Sequence, residues 1–229
     1  CICLPRLMAE SRFDRRNHRH ENIQTGGRKE EDPSPEKEGG EIKRIYMREE
    51  RLFIRESSYE DCEKFAIWET DPYVSTFFTI DDGRDREEII REFSERQRDD
   101  TKRQFTICLK ETGEAIGRIY VSDINHHYDS LDVTRIYIAG KENRGKGYGE
   151  EALLLILRWA FEEMKAERVT LDHFEDNVIA ASLYDKLGFA REGVMRHGGK
   201  KNGRYIDMCL RSMLREEYFE SQGRILGDI

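Results

Sequence analysis

Three glycines alternate with cationic and aromatic residues directly before an apolar segment. Residues 143–149 read NRGKGYG, and EEALLLIL follows. Small residues at a strand-to-helix turn let backbone N–H groups converge on one point, and the helix N-terminus adds partial positive charge. Arg144 and Lys146 supply further positive charge at the rim. We therefore predict a pyrophosphate-binding turn, formed by Arg144, Gly145, Lys146, Gly147, Tyr148 and Gly149.

The spacing of these glycines excludes two familiar phosphate sites. A nucleotide P-loop has Lys and then Ser or Thr after its last glycine, whereas Gly149 is followed by Glu150 and Glu151. The dinucleotide pattern G-x-G-x-x-G would need a glycine at position 150. A nucleotide-binding regulatory domain is disfavoured for the same reason.

A second block, NVIAASLYDKLGF at 177–189, combines a helix with a candidate proton donor. Asn177 is a suitable helix N-cap, and Gly188 is a typical C-terminal glycine. The phenol of a tyrosine has a pKa of about 10, so Tyr184 could donate a proton in a reaction. The alternative from spacing alone is that Tyr184 packs as a buried aromatic with its helix neighbours.

The pattern of apolar residues predicts the elements that position these blocks. Strands are expected at 51–55, 104–110, 115–125, 131–139, 168–174, 189–195 and 205–213, and helices at 58–70, 85–99, 147–165 and 177–186. The last two strands are expected to flank the glycine-rich turn HGGKKNG. This order predicts one α/β (α+β) domain with a mixed, mostly antiparallel central sheet flanked by helices.

The two blocks together resemble the Gcn5-related N-acetyltransferases, the GNAT superfamily. The first block has R-x-x-G-x-G at Arg144, Gly147 and Gly149, and the second is similar to the family's N-x-x-A-x-x-x-Y-x-K-x-G-F segment. The resemblance covers about residues 48–219. It implies the GNAT (acyl-CoA N-acyltransferase) fold and an acetyl-CoA-dependent N-acetyltransferase.

The resemblance also implies roles for particular residues. The strand before the glycine turn is expected to diverge from its neighbour, so that the backbone of Ile136, Tyr137, Ile138 and Ala139 binds the pantetheine arm and the thioester carbonyl. Tyr184 is implied as the general acid. Asn177 is expected to cap its helix and to contact the arm of acetyl-CoA, the co-substrate, beside Ala180.

The general base stays open at this point. Many relatives have a Glu where this chain has Val133, with Asp132 beside it. Asp132 could serve after a shift of one residue, Asp172 and His173 lie on the next strand, and a chain of waters is a further alternative. A histidine at such a place is more often structural.

The expected acceptor is a small-molecule amine. The chain resembles the branch with spermidine and ribosomal-protein alanine acetyltransferases, and Asn125 and His126 favour the polyamine members. Four acidic residues could form the wall of the acceptor site or could be solvated: Glu69, Asp71, Asp81 and Asp82. The alternatives are a protein N-terminus as acceptor, or a non-catalytic sensor that binds acetyl-CoA.

Composition narrows the remaining possibilities. The net charge of −8 over 229 residues argues against nucleic acid or anionic membrane as a partner. The five scattered cysteines, and the lack of a signal-peptide pattern, predict a cytoplasmic protein without structural zinc. No metal is expected at His18 and His20 or at His126 and His127. Relatives of this family are often dimers or larger, so a homo-oligomer is possible.

Residues 1–42 differ in composition from the rest of the chain. They are rich in charge and include PSP and two Gly pairs, but contain few large apolar residues. Such a segment cannot bury enough surface to offset its ordering entropy. We predict a disordered, charged leader at 1–42, followed by a single acetyltransferase domain at 43–229.

Overall fold

A computed structural model describes residues 45–48, 51–79, 82 and 85–227. The predicted leader at 1–42 and Asp81 therefore lie outside the described residues. The described strands form an eight-stranded sheet in the order β1-β2-β3-β4-β5-β6-β8-β7. Adjacent strands are antiparallel throughout, except that β5 and β6 are parallel. The predicted mixed, mostly antiparallel sheet is confirmed.

The strands are distributed along the whole described part of the chain. Their bounds are β1 (Ile45–Arg48), β2 (Leu52–Glu56), β3 (Arg103–Leu109), β4 (Ala115–Asn125), β5 (Ser130–Ile138), β6 (Arg168–Phe174), β7 (Ala190–Lys201) and β8 (Arg204–Leu214). The parallel connection from β5 to β6 passes through the glycine turn and the helix that follows it. A parallel pair needs a crossover of this kind.

Six α-helices accompany the sheet in the described part of the chain. They are α1 (Tyr59–Glu69), α2 (Pro72–Ser75), α3 (Arg86–Gln97), α4 (Tyr148–Arg158), α5 (Val178–Leu187) and α6 (Arg215–Gly227). Local sequence explains their ends: Ser58 and Asp61 form a capping box on α1, and Asp85 and Glu88 form one on α3. A π-helical turn, Trp159–Glu163, extends α4.

The β7–β8 hairpin differs from its prediction. Its strands continue through most of HGGKKNG, and the turn is only Asn202–Gly203, whose φ angles are +47° and +77°. Two residues with positive φ make a tight hairpin turn that matches the twist of the strands. Gly199 serves a different purpose, because a Cβ there would lie 2.8 Å from Thr79. It permits close packing rather than a turn.

Two of the three apolar clusters in the described residues hold the longer helices in place. The larger packs α4 against the central strands, with Leu153, Leu155 and Ile156 fully buried. The smaller joins α1 to α3 through Phe65, Ile89 and Phe93. The larger cluster holds the start of α4 at the end of β5, where the sheet opens.

Candidate active site

The parallel strands β5 and β6 separate at the centre of the sheet. Their pairing runs from Ser130 opposite Arg168 to Asp132 opposite Thr170, and ends there. Beyond that point residues 133–138 of β5, and Asp172 and His173 of β6, line a cavity of about 440 Å³. The predicted divergence of these strands is present in the structure, and the cavity results from it.

The glycine turn closes one end of this cavity. Gly145 and Gly147 have φ angles of +71° and +79°, which favour glycine because it has no Cβ. At Gly145 and Gly149 no atom lies within 4 Å of the position that a Cβ would occupy. The first N–H groups of a helix have no partner within the helix. The turn thus offers free backbone donors and open space, which suit a phosphate or pyrophosphate group.

The predicted binding residues largely come together around this cavity. Those that line it are Ile136, Tyr137, Ile138, Arg144, Gly145, Gly147, Tyr148, Gly149, Asn177 and Ala180. Ala139 and Lys146 do not. The N–H of Ala139 donates to the carbonyl of Ile116 at 2.7 Å, so that this amide is already used within the fold.

Asn177 begins α5 at the cavity wall. Its side-chain oxygen accepts a hydrogen bond from the N–H of Ala180 at 3.1 Å, as expected of an N-cap. The opposite end of its amide remains able to donate to a ligand in the cavity.

Tyr184 lines the cavity about two turns further along α5. Its side chain is only 7% exposed and its ring lies 5.5 Å from that of His173. In the described part of the chain its hydroxyl has no hydrogen-bond partner. Burial, and then the negative charge of Asp172, raise the pKa of Tyr184 to about 12. The phenol therefore keeps its proton at neutral pH.

Asp172 faces the same space from β6. Its half-buried carboxylate forms no hydrogen bond or ion pair with the residues the structure describes, and burial raises its pKa. A carboxylate in this position can accept a proton near neutral pH more readily than an exposed one. Asp172 and Tyr184 thus form a candidate base and acid that line the same cavity.

Asp132 lies at the point of divergence but not on the cavity lining. Its carboxylate accepts hydrogen bonds from the hydroxyls of Thr134 and Thr170, at 2.9 and 2.7 Å. Burial raises its pKa to about 6 despite these bonds. Its negative charge raises the pKa of Tyr184, but less than burial or the charge of Asp172 does.

The geometry of His173 makes it a structural residue. Arg211 donates from Nε to His173 Nε2 at 3.0 Å, and a guanidinium can only donate. The hydrogen of the ring therefore resides on Nδ1, which donates to the carbonyl of Phe174 at 2.8 Å. Both ring nitrogens are occupied, so no nitrogen is left to accept a proton from a substrate.

The other predicted acceptor residues lie elsewhere. Asn125 and His126 are on the exposed β4–β5 turn, where the Asn125 side chain accepts from the N–H of His127. Glu69 is buried and accepts from Arg118, Arg135 and Tyr137. Asp71 caps α2, and Asp82 pairs with Lys201 and Asn202. None of these residues lines the cavity, so the expectation that they form its wall does not fit the structure.

Sequence reasoning missed the residues that form the wall opposite α5. They come from α2 and the loop after it: Tyr73, Val74, Thr76, Phe77, Phe78 and Thr79. Two of the aromatic side chains are substantially exposed, with Tyr73 at 55% and Phe77 at 41%. The aromatic residues between Pro72 and Thr79 were the available signal, because exposed aromatics mark binding surfaces.

Lys201 holds this wall in place from the β7–β8 hairpin. Its ammonium group donates to the carbonyl of Ser75 at 2.7 Å.

In the described part of the chain no three His, Cys, Asp or Glu side chains gather as a metal site. Nor does that part contain a helix long and apolar enough to cross a membrane.

Comparisons with known proteins agree with this geometry. Residues 51–190 match the family model described as an acetyltransferase (GNAT) domain. The p20 protein of Bacillus licheniformis, called an uncharacterized N-acetyltransferase, is 27% identical over 172 residues, which are 74% of this chain and 96% of that one. The Escherichia coli K12 spermidine N(1)-acetyltransferase is 30% identical over 115 residues, 49% of this chain and 60% of that one.

The fold has close counterparts among solved structures. The Vibrio cholerae spermidine N-acetyltransferase, solved in complex with CoA and spermine, superposes with a TM-score of 0.67. It is 21% identical and covers 73% of this chain and 98% of its own. At that identity the similarity establishes the fold, while the family match extends over more than half of the chain. The chain is therefore an N-acetyltransferase that belongs to the GNAT acetyltransferase family.

Proposed function

We propose that the chain transfers the acetyl group of acetyl-CoA to the primary amine of a small, polyamine-like cation. The observation that carries the proposal is a pair of groups that line one cavity and have no hydrogen-bond partner among the described residues, the carboxylate of Asp172 on β6 and the phenol of Tyr184 on α5. Acetyl-CoA supplies an activated acetyl group as a thioester. The glycine turn is the part of the cavity suited to its pyrophosphate.

Each remaining step falls to a residue of the cavity wall. An amine attacks only as the free base, and Asp172 accepts the proton of the incoming ammonium group. A backbone N–H of β5 within residues 136–138 stabilises the developing oxyanion. Tyr184 donates its proton to the departing sulfur, whose basicity resembles that of a cysteine thiolate, and regains a proton from the attacking nitrogen as the amide forms. Because its pKa is high, Tyr184 retains this proton until negative charge develops on the sulfur.

The polyamine acceptor is supported by the relatives and by charge. Two of the similar proteins are named for spermidine. The net charge of −8 attracts polycations, and Asp172 can pair with an ammonium group before accepting its proton.

A protein N-terminus is the second candidate, and the cavity mouth favours it. Exposed apolar side chains border the mouth, including Tyr73, Phe77 and Ile179. Of the acidic residues expected to bind a polycation, the three that the structure describes are paired with other groups of the protein: Glu69, Asp71 and Asp82. A peptide could pack its first side chains on this rim.

The activity is proposed for the cytosol. The described cysteines, Cys62, Cys108 and Cys209, are buried free thiols, which suits a reducing compartment.

The proposal is tested by the release of free CoA from acetyl-CoA with a panel of amines. The panel contains spermidine, spermine, other diamines, aminoglycosides and peptides with N-terminal Ala or Ser. Turnover on polyamines that falls at least about 10²-fold in Tyr184→Phe supports the acceptor class and the general acid together. Turnover on peptides alone would select the second candidate. Acetyl-CoA binding without turnover on any amine would contradict the proposal.

A further inference from the structure

The start of α4 carries two carboxylates at the place proposed for an anion. Glu150 and Glu151 are in the first turn of the helix, directly after Gly149. Acidic residues stabilise a helix N-terminus, but unneutralised they also repel a phosphate bound there. The turn therefore requires cations from elsewhere in the fold to remain receptive to pyrophosphate.

Arg51 provides such a cation for Glu151. Its Nε donates to Glu151 Oε2 at 2.8 Å, and its Nη2 lies 2.7 Å from the same oxygen. The other oxygen, Oε1, accepts from the backbone N–H groups of Arg51 and Leu52 at 3.0 and 2.8 Å. The carboxylate is only 12% exposed, and these donors from the start of β2 surround it. Nearly one hundred residues of chain separate the two partners.

Arg51 also orients the backbone of the glycine turn. Its third nitrogen, Nη1, donates to the carbonyl of Lys146 at 2.7 Å. In a trans peptide the C=O and the following N–H point in opposite directions. The N–H of Gly147 is therefore turned away from Arg51, and it donates to no acceptor among the described residues. Gly147 itself lines the cavity.

We propose that Arg51 is a positioning residue for the pyrophosphate of CoA. It neutralises Glu151 and holds the Lys146 carbonyl away from the anion, so that the turn presents N–H groups to the ligand. The inference rests on the proposed function and adds a residue outside the glycine turn to the machinery that binds acetyl-CoA.

A second ion pair offers an internal comparison. Lys186 of α5 lies 2.7 Å from Glu150, but its side chain is 64% exposed. Solvent screens an exposed pair strongly, and Lys186 makes no contact with the backbone of the turn. A change at Lys186 should therefore have a smaller effect on CoA than a change at Arg51.

The test measures the dissociation constants of two ligands, CoA and pantetheine, by calorimetry. Pantetheine has the same arm but no phosphate. Arg51→Met should raise the dissociation constant of CoA about tenfold, as expected when a hydrogen-bonded charged group is lost. It should change the dissociation constant of pantetheine less than twofold. Adding Glu151→Gln to Arg51→Met should recover part of the CoA affinity, because it removes the negative charge that Arg51 no longer neutralises.

A matched control is Arg168→Met, which breaks the Arg168–Glu192 pair at 3.0 Å, with side chains 36% and 37% exposed. This variant should bind both ligands as wild type does. If Arg51→Met weakens both ligands equally, or neither, the inference is overturned. The same holds if Glu151→Gln recovers nothing. If the wild type binds neither ligand, the proposed function itself fails, and the inference falls with it.

Should Arg51→Met fold poorly, Arg51→Lys keeps the charge but loses the forked geometry. Its CoA affinity should lie between those of wild type and Arg51→Met, again with pantetheine unchanged. If Arg51→Lys binds CoA and pantetheine with the same ratio of dissociation constants as wild type, the backbone-orienting role is overturned.

Discussion

The guanidinium of Arg144 lies 3.4 Å from the ring centre of Tyr73, which joins the glycine turn to the opposite wall of the cavity. Asp71 stands 3.7 Å from the same guanidinium. The positive charge of Arg144, expected at the rim of the turn, is thus engaged with α2, whose residues form part of the cavity wall. The two halves of the cavity are connected through one stacked pair.

Loss of the Arg144–Tyr73 contact should weaken the binding of both substrates. In Tyr73→Ala we expect the KM for acetyl-CoA and the KM for the amine each to rise about two- to fivefold, since an exposed cation–π contact contributes about 0.5–1 kcal/mol. Tyr73→Phe retains an aromatic face and should resemble wild type. Initial-rate kinetics with each substrate varied in turn measures both constants. Equal losses in the Ala and Phe variants would instead implicate the hydroxyl.

Asp172→Asn should remove the acidic limb of the pH–rate profile. A base works only when ionised, so that kcat/KM of the wild type should rise with pH through the pKa of Asp172, which burial holds above its ordinary value. At pH 7 the variant should lose about 10²-fold or more in kcat/KM. The difference in kcat/KM between wild type and variant should become smaller near pH 10, because a lysine-like amine loses its proton there without a base.

Glu175→Gln is the matched control for that experiment. Glu175 follows β6 directly and pairs with Arg191 at 2.7 Å, outside the cavity lining. Its profile should coincide with that of wild type. A profile of Asp172→Asn that keeps the wild-type shape and height would show that the proton leaves by another route.

The buried carboxylate of Asp132 should make stability depend on pH. Its pKa is about 6 in the folded chain, against an ordinary value of 3.8. The folded state therefore binds this proton more tightly than the unfolded state does. Its stabilising contribution is complete below about pH 4 and is lost as pH rises towards 6, by up to about 3 kcal/mol.

Denaturant titrations of wild type and Asp132→Asn across pH 4–8 measure this dependence. The variant cannot ionise, so the free energy of unfolding of wild type should fall relative to that of the variant as pH rises. A difference between the two proteins that stays constant over this range would contradict the pKa assignment.

Glu69 should be among the residues most sensitive to substitution. Its carboxylate accepts from Arg118 at 2.5 Å and from Arg135 at 3.2 Å, and Arg118 is fully buried over the ring of Phe65. Glu69→Ala leaves buried positive charge without its partner, at a cost of about 3–5 kcal/mol in the free energy of unfolding. Glu63→Ala, on the exposed face of α1, breaks only a surface pair with Arg86 and should cost less than about 1 kcal/mol.

Chemical denaturation of these two variants tests the prediction. Similar losses at Glu69 and Glu63 would show that the buried cluster contributes no more than a surface pair. A loss of stability confined to Glu69→Ala would show that the buried pairs of Glu69 with Arg118 and Arg135 contribute strongly to the free energy of unfolding.

The sequence by itself determined the local geometry of the two motif blocks. The glycines at 145, 147 and 188 were identifiable because only glycine adopts positive φ at little cost, and the cap at Asn177 follows from a short-range hydrogen bond. The order of the seven predicted strands and four predicted helices also followed from apolar periodicity, whereas β1, α2 and α6 were not predicted. These features depend on residues close together in the chain.

Only the tertiary structure decided which polar groups remain available for chemistry. From the sequence, Glu69 was a candidate for the acceptor wall. In the structure its carboxylate instead accepts hydrogen bonds from Arg118 and Arg135, which are 49 and 66 residues away. His173 was a possible base until Arg211 fixed its tautomer. Asp172 has no such partner among the described residues and faces the cavity. Long-range pairing of buried charges produced these outcomes, and no local pattern encodes it.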